Sequence, residues 1–355
     1  MEMEKIMKQF ENGMDKNYVM SSFLMYRTIV KSGYKYNRDG RGCIPVKNSY
    51  ELEEALRLQM EKFFSDTGKK VALALSGGID SAILAKYMPK NSTVYTFQCK
   101  VPSVEVTNEV PRAARYAKEC GLNQKVVEIY WEDFEKYAPI LMKHKAAPIH
   151  SIEVQIYKAA LQAKADGFDT LVFGESSDVN YGGMDGLLSR DYTEEEFVKR
   201  YEYVNPVDAL KDGIEIVGPV REFVDKDTGL VDVHQFNRCF FFKEGLASYT
   251  NACECAEIEF VAPFSNTWLA EPLDIERVRA GENKYLVRDI FSRLYLGWEI
   301  PKKTPMPRPI GEWLKDWKGP QRPEFIPDCQ EGMTGDQKWL IWVLEKWLDM
   351  FKEEN

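Results

Sequence analysis

The chain has 355 residues, of which 44% are hydrophobic and 29% are charged, and its net charge is −9. This balance is ordinary for a folded globular protein and argues against long disordered stretches. The acidic charge, with no cluster of Lys and Arg, argues against a nucleic-acid-binding surface. The 7 cysteines form no C-x-x-C pair, which favours a reducing, cytoplasmic compartment. No apolar run is long enough to predict a membrane span.

The first predicted elements are an extension and a capped helix. Residues 1–48 show no long periodic segment, so we predict an extension that packs on the main body. A helix follows that is capped by Asn48, with Glu51 three residues on, and ends at Gly68. Residues 70–75 are short and evenly apolar, as expected for a central strand of a parallel sheet.

Apolar strands and amphipathic helices then alternate along the chain. This alternation is typical of right-handed βαβ units and predicts an α/β fold with a doubly wound, mainly parallel sheet. Further strands are predicted at 93–98, 125–129 and 170–173, and helices at 112–120, 131–144 and 152–165. After residue 190 the sequence favours helices joined by proline-rich loops. We therefore divide the main body, residues 49–355, into an α/β core at 49–190 and a mostly helical part at 191–355.

A polar, glycine-rich turn connects the strand at 70–75 to the next helix. In Ser76-Gly77-Gly78-Ile79-Asp80-Ser81, the glycines let backbone N–H groups face outward, and the positive end of the helix points to the same place. Such a nest binds phosphate. The two serine hydroxyls can contact phosphate oxygens, and Asp80 suits a bridging divalent cation. The turn lacks the lysine of G-x-x-x-x-G-K-[ST] and the third glycine of G-x-G-x-x-G. The alternative is a tight turn without a ligand.

Residues that follow the other strands are candidates too, because ligands of such sheets bind beyond the carboxyl ends of the strands. One candidate is Gln98-Cys99-Lys100, and a more informative one is Gly174-Glu175-Ser176-Ser177-Asp178. We expect Asp80 and Asp178 to face each other and share Mg²⁺, which prefers one or two carboxylates plus the phosphates of its nucleotide. Glu175 is then available for acid–base work on a reacting amine. A solvated turn is the alternative for the second segment.

These motifs resemble those of a known family. The glycine-rich turn resembles the pyrophosphate loop (PP-loop) of the ATP pyrophosphatase superfamily. With the second segment, the chain resembles the synthetase domain of asparagine synthetases and of beta-lactam synthetase, where S-G-G-L-D-S is followed by G-E-G-S-D-E and a Gly-Gly pair. Residues 259–266 are similar to the family's E-x-R-x-P-F-L-D, and residues 284–288 to its K-x-x-L-R helix. The resemblance covers about residues 50–317 and implies an adenine nucleotide alpha hydrolase-like sheet.

The resemblance implies a two-step, AMP-forming ligase that uses ATP and Mg²⁺. A small-molecule carboxylate attacks the α-phosphate, pyrophosphate leaves, and an amine or ammonia then displaces AMP. Glu175 matches the asparagine synthetase version of its motif, which favours amide formation between two molecules. Negative charge develops in both steps, so a fixed cation is needed. The family places a lysine upstream of a Gly and a Trp; Lys303 fits that spacing best and Lys302 is the second choice.

The sequence also departs from the family pattern. Val261, Asn266 and Pro301 stand where the family has arginine, aspartate and arginine, so the identity of the acid stays open. Asparagine synthetases begin with a glutaminase domain whose nucleophile is the cysteine after Met1, but here Glu2 holds that position. We therefore expect nitrogen from free ammonia, from an amine substrate or from a separate glutaminase subunit.

These arguments assign a role to each candidate site residue. Catalysis is assigned to Glu175 and Lys303, and metal binding to Asp80 and Asp178. Substrate binding is assigned to Ser176, Ser177 and Asp178. The nucleotide is assigned to residues at the strand ends, namely Leu75, Ser76, Gly77, Gly78, Asp80, Ser81, Phe97, Gln98 and Gly174. The helical part, 191–355, is expected to complete this active site.

Two other functions are compatible with the same motifs. One is a PP-loop sulfur transferase that adenylates its substrate and uses Cys99 as a sulfur carrier, which requires a partly exposed thiol of low pKa. The other is a non-catalytic nucleotide-binding protein. The presence of Asp80, Asp178 and Glu175 argues against the latter, because a mere binder does not need all three charges.

Overall fold

A parallel sheet lies at the centre of the computed structural model, which describes residues 15–30, 43–65 and 68–351. Its five strands, all paired in parallel, stand in the order β4, β3, β2, β5, β6. They are β2 (Val71–Ala74), β3 (Thr93–Cys99), β4 (Asn123–Ile129), β5 (Thr170–Val172) and β6 (Glu259–Val261). A separate parallel pair is formed by β1 (Ile44–Val46) and β7 (Thr267–Leu269). Much of the predicted extension, 1–14 and 31–42, lies outside the described residues.

Helices cover both faces of the sheet. Ala72 and Leu171 belong to the hydrophobic core on one face, whereas Leu73 and Val172 belong to the core on the other. All four residues of β2 are buried, as expected for a central strand with both faces covered. The predicted doubly wound, mainly parallel α/β fold is confirmed. The sequence predicted four strands, and β6 is a fifth at the sheet edge.

The helices are numbered in chain order. In the first half they are α1 (Lys16–Tyr26), α2 (Ser49–Ser65), α3 (Ile79–Ala85), α4 (Val110–Cys120), α5 (Trp131–Lys145), α6 (Ile152–Ala165), α7 (Ser177–Asn180) and α8 (Asp185–Leu188). The second half contains α9 (Glu194–Tyr201), α10 (Pro206–Ala209), α11 (Gly218–Arg221), α12 (Val233–Cys255), α13 (Ile275–Arg279), α14 (Tyr285–Leu294), α15 (Ile310–Trp313) and α16 (Gly335–Asp349). The second half is mostly helical, as predicted.

The residues from which we predicted the ends of helices occupy those positions in the structure. The side-chain oxygen of Asn48 accepts hydrogen bonds from the backbone N–H groups of Tyr50 and Glu51, at 3.0 Å each, and so caps α2. Gly121 ends α4 with φ of 68°, a left-handed conformation that suits glycine. Thr193 and Glu196 form the capping box that begins α9.

Helix α1 precedes the α/β core in sequence but is largely buried in the interior of the protein. Every residue from Val19 to Tyr26 is buried. The backbone N–H of Tyr203 donates to the carbonyl of Met25, and the Tyr26 hydroxyl donates to the carbonyl of Ile216. This part of the predicted extension is therefore integral to the hydrophobic core. None of the helices in the described ranges combines the length and apolarity needed to cross a bilayer.

Candidate functional site

A cavity of about 850 Å³ lies beyond the carboxyl ends of β2, β3 and β5. Much of its wall comes from four stretches of chain: the turn after β2, the start of the segment after β5, residues 281–288, and the extended loop at 300–307. The core at 49–190 supplies the first two, and the helical part supplies the last two. This is the place where the crevice of a doubly wound sheet is expected.

The turn after β2 is held by its own serine hydroxyls. The Ser76 backbone N–H donates to Ser81 Oγ at 3.0 Å, and the Gly78 N–H donates to Ser76 Oγ at 3.1 Å. The two hydroxyl oxygens lie 3.0 Å apart. Glu109 lies against Gly77, and a Cβ built on Gly77 would be 3.3 Å from Glu109 Oε1. In this structure the serine hydroxyls therefore make hydrogen bonds within the turn, and the carboxylate of Glu109 lies against Gly77.

Glycine at position 174 allows the strand β5 to approach the first turn of α3. A Cβ there would lie 2.6 Å from the backbone nitrogen of Ser81 and 2.9 Å from the carbonyl carbon of Asp80. Real Cβ atoms do not come this close to backbone, so only glycine fits without a shift. This contact brings the two sequence motifs together on one side of the cavity.

Asp80 and Asp178 both contact the ammonium group of Lys284. The Lys284 Nζ donates to both carboxylate oxygens of Asp80 at 2.6 Å and lies 3.3 Å from Asp178 Oδ1. The two carboxylates are thus on the same side of the molecule, as predicted. Burial alone would lower the pKa of Lys284, but Asp178 and Asp80 outweigh it and raise that pKa, so the ammonium stays charged.

Lys303 approaches Asp178 from the other wall of the cavity. Its Nζ lies 3.2 Å from Asp178 Oδ1 and donates to the carbonyl of Gly183 at 2.9 Å. Burial would raise the pKa of Asp178, but the ammonium groups of Lys284 and Lys303 outweigh burial and lower it. Lys302 also lines the cavity. Of the two lysines considered in the sequence analysis, Lys303 is the one that contacts Asp178.

Glu175 is a largely buried carboxyl group of the cavity. Burial raises its pKa to about 7, although hydrogen bonds from the Tyr249 hydroxyl and the Ser176 N–H act in the opposite direction. The Ser176 N–H donates to Glu175 Oε1 at 2.9 Å. Ser176 itself has φ of 79°, a strained left-handed conformation for a residue with a Cβ. The backbone thus bends at Ser176, between the carboxyl-bearing residues Glu175 and Asp178.

Most of the predicted site residues line this one cavity. They are Leu75, Ser76, Gly77, Gly78, Asp80, Ser81, Phe97, Gly174, Glu175, Asp178 and Lys303. Gln98, Ser176 and Ser177 do not line it and are 5%, 2% and 1% exposed, so the structure does not place them at the cavity as predicted. Side chains alternate along β3, so Phe97 and Gln98 face opposite ways. The two serines turn inward at the start of α7.

Cys99 does not meet the requirement for a sulfur carrier. Its side chain is 1% exposed, and its thiol donates to the carbonyl of Pro307 at 3.3 Å. Burial raises the pKa of this thiol to about 12. A thiol that is buried and protonated is a poor nucleophile, so the geometry argues against this alternative.

Sequence reasoning missed several charged and aromatic groups of the cavity. They are Glu109, Arg112, Asp185, Tyr249, Lys284 and Arg288. For Lys284 and Arg288 a signal was present, because they are the two charged residues of the stretch that resembles K-x-x-L-R. Conversely, Asn266 lies away from the cavity, where its side-chain amide donates to Gln59 Oε1 at 2.9 Å. Asn266 and Val261, two of the three departures from the family pattern, do not line the cavity.

The donor set of the cavity fits magnesium through two carboxylates. Asp178 Oδ1 is buried, and the ammonium groups of Lys284 and Lys303 lie 3.3 Å and 3.2 Å from it. A carboxylate oxygen that attracts two cations, beside a second carboxylate, suits a hard cation that takes its other ligands from phosphate and water. No cluster of three or more Asp, Glu, His or Cys side chains suited to a metal occurs among the described residues. Asp80 and Asp178 are the two carboxylates of the cavity that could hold magnesium.

A family model identifies the segment that carries both loops. Residues 50–214 match the model of the family described as asparagine synthase. This segment is an asparagine synthase domain. It contains the Ser76 turn and the Glu175–Asp178 stretch, whereas Lys284 and Lys303 of the same cavity come after the matched residues. No curated protein sequence matches the chain.

Three solved structures are similar to parts of this chain. An NH3-dependent NAD synthetase from Campylobacter jejuni has 15% identity over 38% of this chain and 60% of its own, with a TM-score of 0.27. A tRNA thiolase from Methanococcus maripaludis has 11% identity over 85% of this chain and 79% of its own, with a TM-score of 0.32. An NMN synthetase from Francisella tularensis has 9% identity over 73% and 99%, with a TM-score of 0.29. The chain thus spans less than two thirds of the first of these proteins.

Proposed function

We propose that this protein is an ATP-dependent, AMP-forming ligase that joins a small-molecule carboxylate to ammonia or an amine. The observation that carries the proposal is the convergence of Asp80, Asp178, Glu175 and Lys303 on one cavity that also contains the Ser76 turn. A binding site for ATP alone would not need a carboxyl group with a pKa of about 7 in addition to the carboxylates of Asp80 and Asp178. The asparagine synthase match of residues 50–214 supports the same chemistry.

In the first step a carboxylate oxygen of the substrate attacks the α-phosphorus of ATP. The bond from that phosphorus to the bridging oxygen breaks, and pyrophosphate leaves with both bonding electrons. Lys303 and Arg112 are cations in the cavity wall that can stabilise the negative charge of the phosphates. Ser76 and Ser81 can turn their hydroxyls from each other to phosphate oxygens. Magnesium, held by Asp80 and Asp178, would shield the charge of the polyphosphate when bound.

In the second step the nitrogen attacks the carbonyl carbon of the acyl-adenylate and AMP leaves. The nitrogen must lose a proton as the amide forms. Glu175 can accept it, because a base with a pKa of about 7 is half ionised near neutrality and matched to this task. The hydrogen bond from Tyr249 fixes the orientation of that carboxylate.

An isotope experiment tests the first step even while the amine substrate is unidentified. The protein is incubated with ATP, Mg²⁺ and a panel of carboxylic acids labelled with ¹⁸O in the carboxylate, with ammonium present. Acyl-adenylate chemistry transfers one ¹⁸O from the acid to AMP, which mass spectrometry detects, and releases pyrophosphate. Exchange of labelled pyrophosphate into ATP that depends on the acid, without any amine, identifies the acid.

Two outcomes would contradict the proposal. Formation of ADP and phosphate would mean attack at the γ-phosphorus, and AMP without ¹⁸O would mean that water or another nucleophile attacks the α-phosphorus. Glu175→Gln is the matched variant for the second step. It should retain acid-dependent pyrophosphate exchange and lose most of the amide formation, because the carboxylate that accepts the proton is replaced while its neighbours remain.

A further inference from the structure

The ammonium group of Lys284 lies where the proposed magnesium site requires a cation. It contacts both oxygens of Asp80 at 2.6 Å and Asp178 Oδ1 at 3.3 Å. The side chain of Lys284 is 9% exposed, whereas those of Asp80 and Asp178 are 20% and 30% exposed. The two carboxylates are thus partly exposed in the cavity, whereas the lysine that contacts both of them is largely buried.

The backbone and the neighbouring glycine hold Lys284 in this place. Lys284 is the residue before α14 and has φ of 53°, an unusual left-handed conformation for a lysine. A Cβ at Gly183 would lie 2.6 Å from Lys284 Cδ and 2.1 Å from Asp178 Oδ1. Gly183 therefore leaves just enough room for the lysine chain to pass to the carboxylates. The contact is built from packed groups and is not a chance surface ion pair.

One ammonium and one divalent ion cannot share this position. The ammonium lies between both oxygens of Asp80, so a metal chelated by these two oxygens must displace it, and a metal on either oxygen would lie within a few ångströms of it. Two like charges within a few ångströms in a partly buried site repel strongly. Polyphosphate brings several negative charges and can compensate both cations, whereas a metal ion that arrives alone cannot.

We propose that Lys284 is a positioning residue that takes the place of the metal in the nucleotide-free protein, so that divalent metal binds only together with nucleotide. This inference rests on the proposed function, since it uses Asp80 and Asp178 as the metal ligands. Lys284 keeps the two carboxylates close together and in the correct place until metal and nucleotide arrive. It also prevents a metal ion from binding there unproductively.

The test measures binding of Mn²⁺ alone, which is followed by the loss of the free-ion signal in electron paramagnetic resonance. Wild-type protein without nucleotide should show no site at the protein concentrations used, and Lys284→Met should gain one site whose affinity is at least roughly tenfold higher. Lys303→Met is the matched control, because it removes the same charge from the same cavity, but of the two carboxylates Lys303 contacts Asp178 and not Asp80. It should gain much less affinity.

Each outcome decides the matter. A wild-type protein that binds one Mn²⁺ at this cavity equally well with and without nucleotide would overturn the inference, as would an equal gain in Lys303→Met. Lys284→Gln serves as the second variant if Lys284→Met does not fold, and circular dichroism verifies folding. Addition of α,β-methylene-ATP separates the two proposals: if this analogue does not bind at all, the proposed function fails, while the nucleotide-free Mn²⁺ comparison still tests the role of Lys284.

Discussion

Glu175 is a carboxylic acid whose surroundings oppose its ionisation. Its pKa of about 7 exceeds the ordinary value of 4.5 because burial disfavours the charged form. A carboxyl group whose pKa is raised by folding contributes its stability below the unfolded pKa, and that contribution is lost as pH rises through the folded pKa. Above neutrality the ionised Glu175 therefore destabilises the folded protein. This is the energetic counterpart of the base role that we propose for Glu175.

Glu175→Gln should stabilise the protein in alkali and not in acid. At pH 8 we expect a free energy of unfolding about 1 to 3 kcal/mol higher than in the wild type, because the cost of ionising the buried group is removed. At pH 4 the wild-type side chain is protonated, so the two proteins should be equally stable. Urea denaturation at both pH values measures this. An equal gain at both pH values would show that packing, and not ionisation, is responsible.

Lys303 and Lys302 are adjacent and both line the cavity, which makes them a natural pair for comparison. If the proposed function holds, Lys303→Met should lower the rate of AMP formation at least roughly a hundredfold, because the cation proposed to stabilise the reacting phosphate is removed. Lys302→Met should lower it far less, since the contact with Asp178 belongs to Lys303. Steady-state rates at saturating ATP measure both. If the larger loss is found for Lys302→Met, the other lysine of the sequence analysis is the active one.

At the scale of elements, the close contact between β5 and α3 decides the geometry of the cavity. Gly174→Ala should destabilise the protein by about 1 to 3 kcal/mol, because the new Cβ meets backbone atoms that cannot move independently. Nucleotide affinity should fall with it, since the turn after β2 is displaced. Gly218→Ala is the control, as a Cβ there meets nothing within 4 Å. Denaturation and nucleotide titration of both variants test this, and similar losses in the two would contradict the explanation.

The strands and caps were predictable because their causes are local. The apolar run of β2, the cap by Asn48 and the glycine after α4 act within a few residues of their own position. The strand β6 was missed because, unlike the fully buried β5, it begins with the exposed Glu259 and so lacks an evenly apolar run. The contact of Lys284 with the two carboxylates depends on a left-handed backbone and on the space left by Gly183. These features depend on the tertiary structure and cannot be predicted from a local sequence pattern.

The same limit explains the misplaced residues of the site. Gln98 and Ser176 stand at strand ends, and position along the chain correctly identified the edge of the sheet where the cavity lies. Which way each side chain points depends on the register of β3 and on the bend at Ser176, where φ is 79°. Cys99 likewise lies at a strand end but is directed into the protein, towards the carbonyl of Pro307.

At the scale of the whole molecule, a buried charged cluster joins α1 to the rest of the protein. Arg27, which follows α1, lies 3.0 Å from Glu244 of α12 and contacts His150 before α6. The side chains of Arg27 and Glu244 are 17% and 6% exposed. Burial raises the pKa of Glu244, and Arg27 opposes that rise. Segments far apart in sequence thus depend on one ion pair, and the helix that precedes the asparagine synthase domain is part of the same folded unit.

Arg27→Met should therefore destabilise the entire protein and not only α1. Removal of one partner leaves the Glu244 carboxylate buried without its counter-ion, which costs about 3 to 5 kcal/mol near neutral pH. The loss should be smaller in acid, because Glu244 can then take up a proton instead of staying charged. Lys16→Met removes a cation from the same segment, but its partner contact with Glu324 is at the surface and 44% of the lysine side chain is exposed, so about 1 kcal/mol or less is expected. A single unfolding transition, measured by circular dichroism and by tryptophan fluorescence, should shift as a whole in Arg27→Met; separate transitions for the two signals would show that α1 is an independent extension.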